Sequence, residues 1–583
     1  MTTTSNFSLY GIGVSGGIAI GRTKLVSHAT LDVSQYQIDP AHITDEVNRL
    51  DLAIAGVRNE LRALRDEMAT SELADDIEAF IDIQETLLND DALSENTKAY
   101  IVEHGCNAEW ALVQQMDAWL AQFDQIEDEY LRERKFDIMQ VVERVLKQLT
   151  GHVGVAAPDV GVESHTILVA HDLSPADVLQ YKYHRFAAFV TDLGGATSHT
   201  AIVARSLGVP ALSGLRLARQ LIREGEMVIV DGDSGSIIVN PSRAVLAQYR
   251  ERYQQQKERR EALMSLVRRR PKTKDGVETS LFINIEMPDN FTAAQKVGAQ
   301  GIGLFRTEFL YLNREELPDE RTQFLAYRRV VRGMKGKPVI LRTLDLGADK
   351  IHAGIDSLAR VMPNPALGLR AIRLCFAEQA LFTTQLRAIL RASVFGNLKM
   401  MIPLLSSAEE IRQALDIIDG VKKTLDEEGV AYDRNIDIGA MIEVPSAAIA
   451  IEPFLKRFSF LSIGTNDLVQ YLLAVDRSDQ AVSRLYDPVH PAMLRLLSHV
   501  LKHAEKAKIP VSMCGEMAGD PEMTRLLLGL GLRHFSMSAS TLLAVKERIL
   551  NTDLGAQKKS IARILRSNSS LKTRALIEQL NQS

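Results

Sequence analysis

Gly194-Gly195-Ala196-Thr197-Ser198-His199-Thr200-Ala201-Ile202 follows the apolar run at residues 187–191. The pattern reads as a strand entering a turn that two glycines make possible, with Thr197 or Ser198 placed to cap a helix that runs to Leu207 and stops at Gly208 and Pro210. His199 falls in the first turn of that helix, where free N–H groups and the positive end of the helix dipole favour an anion and disfavour imidazolium. A neutral imidazole beside such a cradle is a nucleophile for phosphorus. A lone histidine at a strand-loop-helix junction is more often simply buried, so the weight falls on the rest of the chain.

Working outward toward the N-terminus, residues 166–170 read as another strand, and residues 227–232 and 237–239 as two more. Residues 9–25 are strand-like and punctuated by glycine. Gly11, Gly13 and Gly16 satisfy the dinucleotide pattern GxGxxG, but that pattern needs a helix next, and a further β-like run follows instead. Between about 40 and 150 the periodicity becomes helical, with Val47, Leu50, Ile54, Val57, Leu61, Leu64 and Met68 at spacings of three and four. Further helical pieces are expected at 77–88, 110–123 and 138–149. The expected organisation is a small α/β domain of residues 1–30 and 151–242, interrupted by a helical block at 31–150 and followed by a charged helical linker at 243–271. Such a linker is where a hinge between domains is expected.

From residue 272 the pattern alternates strand and helix, as βα units do. Eight candidate strands, at 281–285, 301–305, 339–341, 399–402, 439–442, 460–463, 511–513 and 535–537, predict a closed (β/α)8 barrel over 272–583. Barrels of this kind build their sites from the carboxyl ends of the strands. Those ends carry Arg306 and Glu308, Arg342 and Asp345, Glu443, Asn466 and Asp467, and Cys514. Arg306, Arg342, Arg370 and Arg477 would supply planar forks suited to phosphate and carboxylate oxygens. Glu443 and Asp467 are oxygen donors of the kind that hold Mg2+. Cys514 is either inert core or a proton donor facing the mouth.

The net charge of −6 argues against nucleic acid as the main partner. Three cysteines, Cys106, Cys375 and Cys514, lie too far apart for metal spacing, which suits a reducing compartment. The first ten residues lack a basic and apolar leader pattern, and no run of eighteen apolar residues occurs. A cytoplasmic protein without membrane insertion is expected.

Gly-Gly-Ala-Thr-Ser-His-Thr-Ala at 194–201, Leu-Phe-Arg-Thr-Glu-Phe-Leu at 304–310, Met-Ile-Glu-Val-Pro at 441–445, Ser-Ile-Gly-Thr-Asn-Asp-Leu at 462–468 and Cys-Gly-Glu at 514–516 resemble the phosphoenolpyruvate-utilising enzymes. Their order and spacing are similar to those of the Enzyme I family of the bacterial phosphotransferase system, over essentially the whole chain. The resemblance implies that His199 takes a phosphoryl group from phosphoenolpyruvate and passes it to a histidine of the carrier protein HPr. It implies that Arg306, Arg342, Asn466 and Arg477 bind substrate, that Glu443 and Asp467 hold Mg2+, and that Cys514 protonates the enolate to give pyruvate. It also implies that the helical block docks HPr, that the barrel mediates a homodimer, and that Arg205 lies near the phosphohistidine. Two departures stand out. Ala196 replaces a basic side chain found in some members, and Ser174 stands where threonine is expected, its hydroxyl still able to donate to the phosphohistidine.

Phosphoenolpyruvate synthases and pyruvate phosphate dikinases share the histidine loop and barrel but also need a nucleotide-binding domain. No Walker A sequence is present and no stretch remains for such a domain. A nitrogen-branch paralogue of Enzyme I is expected to carry an additional sensory domain before its first β segment, which here begins by Leu9; that points to the sugar branch. A non-catalytic scaffold would be expected to have lost these chemical groups.

Overall fold

The structure, a computed structural model, describes residues 6–25, 34–68, 81–82, 84–91, 93–123, 129–150, 166–170, 186–192, 209–311, 317–347, 364–477, 479 and 481–582. Gly194, Gly195, Thr197, Ser198 and His199, with Ser174 and Arg205, lie outside these residues, as does the helix expected to reach Leu207. The chain divides into two compact units, Met1–Arg259 and Arg260–Ser583.

The first unit contains an eight-stranded sheet of β1 (Phe7–Tyr10), β2 (Ile12–Ser15), β3 (Ile18–Leu25), β4 (Thr166–Ala170), β5 (Phe186–Thr191), β6 (Ala211–Ser213), β7 (Met227–Asp231) and β8 (Ser236–Val239), in the spatial order β1-β8-β7-β3-β4-β5-β6-β2. Strand β3 lies parallel to β4 on one side and antiparallel to β7 on the other. Strands β1, β2 and β3 do not pair with one another: β1 takes β8, β2 takes β6, and β3 takes β4 and β7. β2 and β3 occupy the place where a dinucleotide fold would need a helix, and a Cβ on Gly13 would stand 2.1 Å from the Gly232 carbonyl oxygen, so that glycine serves a close backbone approach within the sheet.

Between β3 and β4 run helices α1 (Ile43–Met68), α2 (Glu95–His104), α3 (Ala108–Phe123) and α4 (Glu129–Leu149). The three-and-four spacing of Leu50, Ile54, Val57 and Leu61 places them on one face of α1, where they pack with Ile101, Leu112, Val141 and Val145 in a core of their own. The piece expected at 77–88 is described only in part. After β8, helix α5 (Arg243–Met264) buries none of its residues. Its first half is tied to the sheet by Asp231, which is 1 % exposed and accepts from Arg252 Nη1 at 3.2 Å and Tyr249 Oη at 3.3 Å.

The second unit is a closed barrel of eight parallel strands: β9 (Ser280–Ile285), β10 (Ile302–Arg306), β11 (Val339–Arg342), β12 (Leu398–Ile402), β13 (Ile438–Ile442), β14 (Phe460–Ile463), β15 (Val511–Met513) and β16 (His534–Met537), with β16 returning to β9. Strands buried on both faces read as short apolar runs, which is why their positions stood out in the sequence. Leu304, Ile340, Met401, Met441 and Phe460 fill the interior together with Cys514, while the alternate positions join the larger core under the surrounding helices. Gly439 leaves room inside the barrel for Phe460, whose ring a Cβ there would meet at 2.5 Å.

Candidate active site at the carboxyl ends of the barrel strands

Strands β10 and β11 end at Arg306 and Arg342, which are cross-strand neighbours. Arg306 is partly open and pairs with Glu286 at 3.0 Å. Arg342 is buried, bonded to Glu308 through Nη2 and to Asp345 through Nη1 at 2.7 Å. Burial works against the Arg342 charge, but Asp345, Glu308 and Glu443 outweigh it and hold the guanidinium firmly protonated. Asp345 also accepts from Arg370 Nη2 at 2.8 Å. Burial pushes its carboxyl up, yet Arg342 and Arg370 together bring it below its ordinary value. Glu308 goes the other way, its burial only partly offset by Arg342.

The acidic side of the mouth comes from β13 and β14. Asp467, in the first turn of helix Thr465–Leu473, lies 3.7 Å from both Arg370 and Arg477. Glu443 is 1 % exposed and accepts from the Leu404 backbone N–H at 2.7 Å through Oε1. Leu404 holds a left-handed backbone, φ 58°, to aim that N–H. The other oxygen, Oε2, faces Gly464, where a Cβ would come within 2.7 Å of it. Burial, with Asp345 and Asp467 close by, pushes the Glu443 carboxyl up to about 8. Glu443 and Asp467 thus stand on adjacent strand ends, and the nearby acidic charges together with burial make ionising Glu443 costly.

Asn466 is held by the loop after β15: its Oδ1 accepts from Glu516 N at 2.9 Å and its Nδ2 donates to Glu516 Oε1 at 3.2 Å. Cys514, expected either to face the mouth or to be inert, lies just beneath it, 2 % exposed among the interior apolar residues. Ser462 Oγ donates to its sulfur at 3.2 Å. Burial pushes the thiol up to about 11, although Ser462, Arg342 and Arg306 act to lower it. It therefore remains a thiol at neutral pH, with a hydroxyl poised to bond the sulfur should its proton leave.

Arg306, Arg342, Arg370, Glu443, Asp467, Asn466, Arg477 and Cys514 accordingly belong to one end of one barrel. The spacing singled out Asp345 as a strand-end residue without revealing that it bridges Arg342 and Arg370. The Leu404 backbone donor has no residue-type signal at all.

A barrel with converging arginines and carboxylates at its strand ends defines an enzyme that handles a small, multiply charged anion. Family comparison gives that class its name: residues 260–554 match the PEP-binding domain of PEP-utilising enzymes, residues 10–134 their N-terminal domain and residues 162–235 their mobile domain. The chain belongs to the phosphoenolpyruvate-utilising enzyme family. It is 48% identical to the phosphoenolpyruvate-protein phosphotransferase of Cupriavidus necator, over 98% of this chain and 99% of that one. It is 42% identical to the protein of that name from Geobacillus stearothermophilus, over 93% of each chain, and 41% identical to that of Bacillus subtilis, over 93% and 94%. No helix among the described residues is long and apolar enough to cross a membrane.

Proposed function

We propose that the protein is a phosphoenolpyruvate-protein phosphotransferase that autophosphorylates on His199 and delivers the phosphoryl group to a histidine of HPr. The observation that carries this reading is the joining of Arg306 and Arg342 with Glu443, Asp467, Asn466 and Cys514 at one barrel mouth. Arg306, Arg342 and Arg477 bind the phosphate and carboxylate of phosphoenolpyruvate, with Arg370 supporting them through Asp345 and Asp467.

Glu443 and Asp467 fit a divalent cation. Both are hard oxygen donors, one Glu443 oxygen is fixed by the Leu404 N–H, and Gly464 keeps space beside the other. We assign them as the Mg2+ ligands; bound there, the ion would polarise phosphoryl and carboxylate oxygens. Attack by the His199 imidazole on phosphorus breaks the bond to the enol oxygen and leaves the enolate of pyruvate. The Cys514 thiol then delivers its proton to the methylene carbon, and the Ser462 hydroxyl bonds the sulfur that remains. HPr docking on the helical block, a homodimer through the barrel and a cytoplasmic location complete the reading; the relatives' shared name supports the transfer from phosphoenolpyruvate to a protein.

The test is incubation of the purified protein with 32P-labelled phosphoenolpyruvate, with and without HPr, and with labelled ATP as the competing donor. Acid-labile label from phosphoenolpyruvate that is absent from His199→Ala and chases onto HPr is the expected result. Labelling from ATP alone, or label persisting in His199→Ala, overturns the proposal.

A further inference from the structure

Helix Gln379–Ala392 carries a glutamine, Gln385, that is 1 % exposed and lies behind the mouth rather than in it. A buried amide is costly unless its donors and acceptor are met, and here the partners are unusual in their placement. Its Oε1 accepts from the Leu344 backbone N–H at 2.8 Å, while its Nε2 donates to Thr307 Oγ1 at 3.0 Å and to Tyr327 Oη at 3.3 Å. Leu344 lies next to Asp345, and Thr307 stands between Arg306 and Glu308.

The proton directions are fixed by what each group can do. Thr307 gives its one hydroxyl proton to the Arg342 carbonyl at 2.7 Å, so its oxygen is free to accept from Gln385. Tyr327 gives its proton to Gln323 Oε1 at 3.1 Å, which also accepts from Tyr311 at 2.9 Å, and Gln323 Nε2 ends on the Pro318 carbonyl at 2.8 Å. Each of these side chains is buried. One amide therefore ties the turn after β10 to the turn after β11, touching the backbone at the positions that set where Arg306, Glu308, Arg342 and Asp345 point.

We infer that Gln385, acting through Thr307, is a positioning residue that holds the Arg306 and Arg342 turns at the spacing needed to clasp the substrate's anionic groups. This rests on reading those arginines as the substrate-binding groups. Gln385 never touches substrate, so its signature is a loss of affinity transmitted through Arg342 rather than a general loss of stability.

The experiment measures KM and kcat for phosphoenolpyruvate in Gln385→Met, Thr307→Val and Thr307→Ser, each alone and combined with Arg342→Lys. Thr307→Val keeps the shape and removes the relay, and Thr307→Ser keeps the hydroxyl. KM is expected to rise about 10-fold in Gln385→Met and Thr307→Val, within the range that sub-ångström misplacement produces, and to recover in Thr307→Ser. In the Arg342→Lys background the same changes should add less than about two-fold, because coupled residues are non-additive. A wild-type KM in Thr307→Val overturns the inference whether or not Gln385→Met folds, and so does full additivity with Arg342→Lys. An Arg342→Lys protein with unchanged KM instead removes the reading of the site on which the inference rests.

Discussion

Arg342 and Asp345 form an ion pair sealed from water, Nη1 to Oδ2 at 2.7 Å, with 8 % and 5 % of their side-chain surfaces exposed. Removing one partner of such a pair strands the other. Asp345→Asn leaves Arg342 with Glu308 as its remaining direct ion-pair partner and Arg370 without its closest carboxylate. The expected stability loss is on the order of 3 kcal/mol, read from the denaturant midpoint, together with weaker phosphoenolpyruvate binding. A variant as stable as the parent would show that Glu308 and Glu443 suffice to neutralise Arg342.

Gly515 is indispensable for a steric reason. A Cβ there would meet Thr465 Oγ1 at 1.9 Å, the Thr465 backbone nitrogen at 2.8 Å and Asn466 Oδ1 at 3.0 Å. Gly515→Ala should therefore shift Asn466 away from Glu516 and lower kcat/KM by about 10²-fold while the protein remains folded. Retention of parental kcat/KM would mean that the loop yields without disturbing Asn466.

For Cys514, a pKa of about 11 has two measurable results. Alkylation by iodoacetamide at pH 8 should be slow, since the thiolate is scarce and the group is covered. As a general acid it must be protonated, so its limb of the pH–rate profile should fall only as pH rises toward about 11, well above an ordinary thiol. Cys514→Ser should lose roughly 10²-fold in kcat with KM nearly unchanged. Loss of affinity with kcat preserved would make Cys514 a packing residue.

Asp231 gives a prediction about acid. Burial raises its pKa, but the N–H groups of Ser234 and Asp233 and the Arg252 charge outweigh that and hold it below its ordinary value. A carboxylate depressed on folding stabilises above its unfolded pKa, and that contribution disappears as pH falls through the folded value. Thermal midpoints of the parent and Asp231→Asn should thus differ at pH 7 and converge in acid, as pH falls below the ordinary aspartate range and through the lowered folded value. A constant difference across that range would assign the effect to hydrogen bonding instead of charge.

The barrel was legible because each of its strands is an apolar run, and its site because Arg306, Arg342, Glu443, Asp467 and Cys514 follow those runs directly. What escaped the sequence is what only closure of the barrel creates. Gln385 looks like any helical glutamine until Thr307 and Leu344 are brought to it, and Glu443 needs an N–H from Leu404, thirty-nine positions away. Cys514 follows its strand as expected but is covered, because its register position points into the barrel interior with Met441 and Phe460.

The pairing of the first sheet imposes an order on biosynthesis. None of β1, β2 and β3 can find a partner among themselves, and the earliest strand that any of them pairs with begins at Thr166. A ribosome moving at about 5–20 residues per second needs roughly 7 to 28 seconds to travel from Leu25 to there. By the end of that interval every described core residue of the helical block between them, Leu50 to Leu146, has been made, while the twenty-five residues ahead of it wait as unpaired chain. A nascent chain arrested shortly before Thr166 should accordingly present a protease-resistant helical body with a cleavable leading segment. Release past Val239 supplies β8, the last of the missing neighbours, and lets the sheet assemble around a body already formed.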